Sequence, residues 1–284
     1  MAGTEPLECA LGDAQLECCL ALSRAAGWNQ NAADWGLMLA IGRGWGLTQA
    51  DGRLVASTLV LPYGAFAWVS MVLVLPEYRR KGYASRLLRR ALAELRATRL
   101  TPVLDATPAG RAVYLLQGFR DSWGFRRYRV NGGAPALADW DEGVRPLAPA
   151  DWEQILVLDA RAFGANREPV LRALAVRLPQ VALVCERAGT IRGYLLGRDG
   201  NEACQLGPLV ADDAETAIAL LNAALQRASM PLYVDAADHA APLSAWLAAR
   251  GFREQRRFTR MVYGGEMAPG DASLMMLVAG PELG

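Results

Sequence analysis

Ala84, Leu87, Leu88, Ala91, Leu92 and Leu95 recur at intervals of three and four residues, the spacing that gathers side chains on one face of an α-helix. Arg86, Arg89, Arg90 and Arg96 take the other face, so an amphipathic helix is expected. Upstream the pattern shortens. Residues 45–48, 54–61 and 66–74 are rich in β-branched or aromatic side chains and are parted by Asp51-Gly52 and Pro62-Tyr63-Gly64, which predicts three antiparallel strands. The uncharged run 59–75 is barely long enough for a membrane span, and the Pro-Tyr-Gly turn cuts it in two, so two buried strands fit better. Before them, residues 8–26 carry apolar side chains at roughly helical spacing, and 34–41 predict a second short helix. After the amphipathic helix come a short strand at Val103-Leu104, a helix over 111–117 and a strand over 125–130.

The order then repeats. Residues 131–143, NGGAPALADWDEG, have no sustained periodicity and are rich in Gly, Ala, Pro and acid, which marks a linker. Beyond it the pattern predicts a helix over 152–163, strands at 181–185, 191–196 and 203–210, and a helix bearing Ala214, Ala217, Ile218, Leu221, Ala224 and Leu225 on one face. A strand at 232–235, a helix over 244–250 and a strand at 258–263 follow, with a further strand possible at 274–278. The endings match residue by residue: LLQGFRDSWGFRRYRV at 115–130 against LAARGFREQRRFTRMV at 247–262. Self-similarity over a domain length argues for two copies of one fold. The expected division is a first domain over 1–133 and a second over 144–284.

Composition narrows the function. The 284 residues are 52% hydrophobic and 21% charged, and 30 Lys plus Arg oppose 29 Asp plus Glu. Such a chain can bury a core, and its balance leaves no global field for nucleic acid or an anionic membrane. Five cysteines without a CxxC pair, and a single histidine, His239, exclude the usual zinc patterns; no metal is expected. The N-terminal stretch MAGTEPLECALGD has acids where a secretory leader would be cationic and then apolar, so a cytoplasmic location is expected.

The chemistry concentrates in LPEYRRKGYASRLL, residues 75–88. A strand passing through Arg79, Arg80, Lys81, Gly82, Tyr83, Ala84 and Ser85 into a helix makes an anion cradle. First-turn amides lack internal partners and point along the positive end of the helix dipole, and a small residue at 82 and at 84 lets an anion reach the backbone. For an isolated loop of this kind, a solvated turn is the ordinary explanation. Its surroundings change that. Val74, Pro76, Arg79, Gly82 and Ala84 resemble the acetyl-CoA signature of the GNAT superfamily of N-acetyltransferases. That resemblance implies that backbone groups at Val72 and Val74 hold the pantetheine and thioester, and that amides from Arg80 through Ser85 hold the pyrophosphate.

A second stretch, DATPAGRAVYLLQGF, resembles the family's later motif, with Tyr114, Gly118 and Phe119 in register. Thr107 stands where the family has Asn, and Gly110 where it has Ala. The resemblance implies that Thr107 touches the cofactor through its hydroxyl and that Tyr114 is the general acid for the leaving thiolate. Glu17, Glu77 and Asp105 lie near plausible edges of such a site, but none is singled out as a base. Trp28, Asn29 and Asp34 fall where the family walls its acceptor pocket.

The second copy has GPLVADDAETA where the first has the cationic loop, and Asp212, Asp213 and Glu215 would repel a pyrophosphate. Its motifs resemble the YitH-type C-terminal GNAT domain. Asp235 and Asp238 are candidates to face a cationic amine. The fold class implied is α/β (α+β), two GNAT-like domains, each a mixed, mostly antiparallel sheet flanked by helices. The function implied is an acetyl-CoA-dependent N-acetyltransferase acting on a primary amine of a small or amino-acid-like acceptor, as a monomer or homodimer without nucleic-acid or membrane partners. Two alternatives stay open: a catalytically silent CoA-binding sensor, and a nucleic-acid binder using the basic face from Arg79 to Arg99, which would show steep salt dependence.

Overall fold

The computed structural model describes residues 5–132, 141–265 and 267–284. Packing divides the chain into two compact units, one of residues 1–104 with Leu283 and one of residues 105–282 with Gly284.

The first unit runs β1 (Leu7–Leu11), α1 (Leu16–Ala26), α2 (Ala32–Ile41), β2 (Arg43–Thr48), β3 (Leu54–Tyr63), β4 (Phe66–Val74), α3 (Tyr83–Ala97) and β5, which starts at Thr101. Its strands lie in the order β1-β2-β3-β4-β5, antiparallel except for the β4–β5 pair. The three predicted strands are there, and the stretch 59–75 is a buried hairpin. The stripe of α3 is buried through Leu87, Leu88, Ala91, Leu92 and Leu95. The front of the predicted first helix is a strand instead. Residues Leu7–Leu11 pair with β2 from Leu7↔Thr48 to Leu11↔Gly44, because the otherwise open backbone edge of β2 outweighs a weak local helical period.

The second unit holds α4 (Pro108–Leu116), β6 (Phe119–Val130), β7 (Val144–Pro146), α5 (Trp152–Phe163), α6 (Glu168–Arg177), β8 (Leu183–Arg187), β9 (Thr190–Arg198) and β10 (Cys204–Ala211). After these come α7 (Ala214–Leu225), β11 (Leu232–Ala237), α8 (Ala241–Ala249), β12 (Arg253–Tyr263) and β13 (Met275–Leu277). Its strand order is β12-β6-β11-β13-β10-β9-β8-β7, with an added β10–β11 pairing. The pattern of the second copy is met throughout, while α6 and β7 lie where no element was predicted. Leu206, Leu220, Leu221, Leu232, Leu243 and Leu247 centre a core between this sheet and its helices.

The end of the first sequence copy belongs to this second unit. β6 pairs along one edge with β11, Leu232↔Val130 to Ala237↔Phe125, and along the other with β12, Arg253↔Arg129 to Tyr263↔Phe119. β6 and β12, the two equivalent last strands seen in the sequence repeat, therefore lie side by side. Residues 133–140 of the expected linker lie outside the described residues. Asp141 of the linker accepts through its carboxylate from the Arg187 guanidinium at 2.6 Å.

Candidate active site

β4 and the start of α3 build the cradle. β4 pairs in parallel with β5 over Phe66↔Thr101 to Trp68↔Val103 only, while β4 itself runs on to Val74. Between those points the strand bulges: its register against β3 shifts between Ser57 and Leu59, and Met71 takes φ 49°. The Ser57 hydroxyl fixes the bulge by donating to the Met71 carbonyl at 2.8 Å. A bulge re-aims the strand that carries it. Val72 and Val74, the residues assigned to the pantetheine, sit beyond it, both half-buried.

The loop after β4 turns twice through the left-handed region, at Arg80 (φ 62°) and Gly82 (φ 81°). Gly82 is the residue capping α3, with φ 81° and ψ 3°. A Cβ there would meet no protein atom within 4 Å, so protein packing does not exclude a side chain; the backbone conformation favours glycine, at a cost to other residues of about 1–2 kcal/mol. Arg86 is the first residue of α3 to close a helical bond, its N–H donating to Gly82 at 2.9 Å. The amides ahead of it have no intrahelical acceptor, and Arg79, Arg80, Lys81 and Gly82 are exposed while Tyr83, Ala84 and Ser85 are half-buried.

The cations of the loop are positioned by neighbours the sequence did not flag. Arg79 Nε donates to the Val74 carbonyl at 3.2 Å. Lys81 Nζ lies 5.0 Å from the centre of the Tyr78 ring, within cation–π range, and Tyr78 stacks on Tyr83 at 6.5 Å. Arg53 shares Tyr78 at 5.9 Å and pairs with Glu77 at 2.6 Å. An aromatic three residues before a lysine carries no distinctive sequence signal. The donors and left-handed turns fit a pyrophosphate, and the unpaired edge of β4 beyond Trp68 fits an extended amide-bearing arm.

Arg86 and Arg90 on the cationic face of α3 are paired with acids. Arg86 pairs with Glu5 at 3.0 Å, Arg90 with Glu8 at 3.3 Å and with Glu94 at 3.4 Å, and Arg43 with Glu94 at 2.5 Å. Arg90 also lies 4.8 Å over Trp45. Elsewhere in this unit, Trp28 is half-buried and donates its N–H to Ser23 at 3.0 Å, and Asn29 is buried. Asp34 is buried as the third residue of α2, where its carboxylate accepts from the Asn31 amide at 2.9 Å.

The later motif belongs to the second unit. Thr107, the residue standing for the family's Asn, caps α4, its hydroxyl oxygen accepting from the Gly110 amide at 3.2 Å, a role that uses one acceptor site of the hydroxyl. Gly110 has a role in the same turn: a Cβ there would stand 3.0 Å from the Tyr114 ring. Tyr114 packs edge-on against Phe119 at 5.9 Å, and Phe119 against Tyr263 at 5.4 Å. The Tyr114 ring is half-buried, and burial of its hydroxyl raises its pKa to about 12, so the phenol stays protonated at neutral pH.

The carboxylates considered as bases are all engaged. Asp105 is buried against the Arg260 guanidinium with two bonds of 3.0 Å, and desolvation raises its pKa despite that cation. Glu77 faces Arg53, and Glu17 faces Arg24 at 3.9 Å. Asp235 is fully buried and held by Arg127 at 2.8 and 2.7 Å and by Gln205 at 2.9 Å. Holding a cationic amine there would mean breaking a buried ion pair, which costs several kcal/mol. Asp238 pairs with Arg126 at 2.8 Å. His239 donates from Nε2 to the Met275 carbonyl at 3.1 Å, with its ring edge-on to Trp123. Among the described residues, no group of three or more His, Cys, Asp or Glu could hold a metal, and no helix is long and apolar enough to cross a membrane.

Residues 18–119 match the Acetyltransferase (GNAT) family, and residues 155–275 match an Acetyltransferase (GNAT) domain family. An uncharacterized N-acetyltransferase, YitH of Bacillus subtilis (strain 168), is 23% identical over 239 residues, 83% of either chain. The crystal structure of a putative acetyltransferase from Pyrococcus horikoshii superposes with a TM-score of 0.82 at 19% identity, covering 100% of this chain and 98% of that one. A tandem GNAT protein from the clavulanic acid biosynthesis pathway superposes at 0.64 and 19% identity, covering 94% and 100%.

Proposed function

From the premise that this chain belongs to the GNAT superfamily and is an acyltransferase carrying two of its domains, we propose that it moves an acetyl group from acetyl-CoA to a primary amine of a small or amino-acid-like acceptor. The observation that carries the reading is the β4–α3 junction. A bulged strand whose edge is unpaired beyond Trp68 leads into a doubly left-handed loop, flanked by Arg79 and Lys81 and ending at a helix N-terminus. Such a junction presents several backbone donors to one anion.

Acetyl-CoA supplies an activated thioester carbonyl. The chain's part is to hold it and to manage charge at the sulfur. Val72 and Val74 offer backbone groups to the extended arm, residues 80–85 offer amides to the pyrophosphate, and Tyr114 is the donor toward the departing sulfur. The raised pKa of Tyr114 sets how it acts. For a phenol at about 12 and a thiol near 8.5, complete proton transfer is uphill by roughly 3.5 units, about 5 kcal/mol. Hydrogen-bond donation to the developing thiolate, with the amine's proton reaching the sulfur later, is the less costly route.

Isothermal titration tests the reading. Acetyl-CoA should bind the wild-type chain, and Gly82→Glu should abolish binding by placing a carboxylate at the cradle. Failure of the wild type to bind overturns the proposal. One observation favours a second reading, a CoA-binding sensor without turnover: Glu17, Glu77 and Asp105, the carboxylates weighed as bases, are each paired with an arginine. An acetylation screen across amines separates the two, since a sensor binds acetyl-CoA and releases no CoA with any acceptor. The near-balance of charge over the chain, +1 in net, weighs against nucleic acid as the partner.

A further inference from the structure

The second unit has a splayed strand pair and a helix N-terminus of the same design as the first, and both are filled by the chain itself. β10 and β11 run parallel only over Cys204↔Leu232 to Leu206↔Val234. β10 then shifts register between Leu206 and Leu209, as β4 does beyond its short pairing with β5. Into the gap comes β13: it pairs antiparallel with β10 through Leu209↔Leu277 and Val210↔Met275, and with β11 through Ala236↔Leu277. The Val278 amide donates to the Asp235 carbonyl at 3.1 Å.

The rest of the segment is locked. Residues 274–280 are buried, His239 Nε2 donates to the Met275 carbonyl at 3.1 Å, and Arg198 pairs with Glu282 where both are about 1% exposed. Gly207, at φ 141°, allows the close approach, since a Cβ there would collide with the Val278 carbonyl. At the head of α7 a carboxylate stands where an anion would sit: Asp213 accepts the Thr216 amide at 2.8 Å, and Asp212 pairs with Arg192 at 2.9 Å.

We infer that the second unit carries an internal replica of a cofactor: residues 275–278 occupy the strand gap as a resident β-strand ligand, and Asp213 occupies the helix N-terminus. The idea takes the location of the pantetheine arm along β4 from the proposed function and carries it to the second copy. The logic is that of strand addition. A splayed pair exposes N–H and C=O groups along its inner edges, which need a partner if no cofactor is present. A chain segment meets that need permanently, so the second copy is closed to CoA and the protein has one cofactor site.

Hydrogen exchange on the full chain, read by amide with and without saturating acetyl-CoA, tests this. Leu277 and Val278 should exchange as slowly as the β9 amides in both conditions. Gly207→Val should speed exchange at those two positions by at least about tenfold while leaving β9 protected; should that variant unfold, Glu282→Gln should give a local acceleration in its place. Fast exchange at Leu277 and Val278 in the wild type, or acceleration when acetyl-CoA is added, overturns the inference. Protection of residues 80–85 by acetyl-CoA is a separate readout. Its absence counts against the proposed function, while positions 277–278 still decide the replica.

Discussion

At the residue scale, the proposed cradle predicts separable contributions from backbone conformation and side-chain charge. Lys81 is exposed and rests on Tyr78, so Lys81→Ala removes a screened charge and should weaken acetyl-CoA binding by about two- to fivefold. Gly82→Glu changes a left-handed cap and adds a like charge to the anion, so titration should find no binding. Comparable losses in both variants would mean that side-chain charge does the binding. Tyr114→Phe keeps the ring stack and loses the donor; kcat should fall by about 10²- to 10³-fold with KM little changed. With the phenol pKa raised to about 12 by burial, the wild-type rate should show no loss from Tyr114 ionisation up to about pH 10. Its stability effect has a definite sign. The unfolded tyrosine ionises near 10 and the folded one later, so the folded state is destabilised as pH rises through the window from 10 to about 12.

At the element scale, sequence and structure agree where a local cause dominates. The stripe on α3 and the apolar face of α7 follow from spacing alone, because a helix buries whatever repeats at its own period. Asp213 also acts locally. Its carboxyl is held below the usual range chiefly by the Thr216 amide, so capping stability is present above about pH 3.9 and is lost as pH falls through the lower folded value. Asp213→Ala should cost about 1 kcal/mol in urea denaturation at pH 7, and Asp213→Asn only a fraction of that. Agreement fails for β1 and β7. These are short strands whose existence depends on partners far along the chain, β2 and β8, and no window of sequence contains that information.

At the scale of the whole molecule, the repeat seen in the sequence and the units seen in packing divide the chain differently. The repeat places the first boundary near residue 133, whereas the compact units part after Leu104. β6 explains the difference within its own unit: both of its edges are taken, by β11 and by β12. Residues 1–133 produced alone would leave the full 12-residue length of β6 without those partners, an open edge of the sort that recruits other chains. Size-exclusion chromatography should find that fragment self-associated or aggregated, and a clean monomer would show that β6 needs neither partner.

The amino-acid sequence by itself settled the fold class and the twofold repeat, and it singled out the loop proposed as the cradle, since these rest on period, on turn residues and on motifs with a local physical cause. Gly82 was identified from sequence, and the structure supplied its reason, a left-handed cap. Only the tertiary structure decided that Asp235 is spent on Arg127, that Thr107 caps a helix, and that residues 275–278 lie between β10 and β11. Each of those depends on a partner between 3 and about 110 positions away. Which partner a buried carboxylate or an exposed strand edge finds is set by desolvation and close packing in the folded chain, and those energies exist only once the chain has closed on itself.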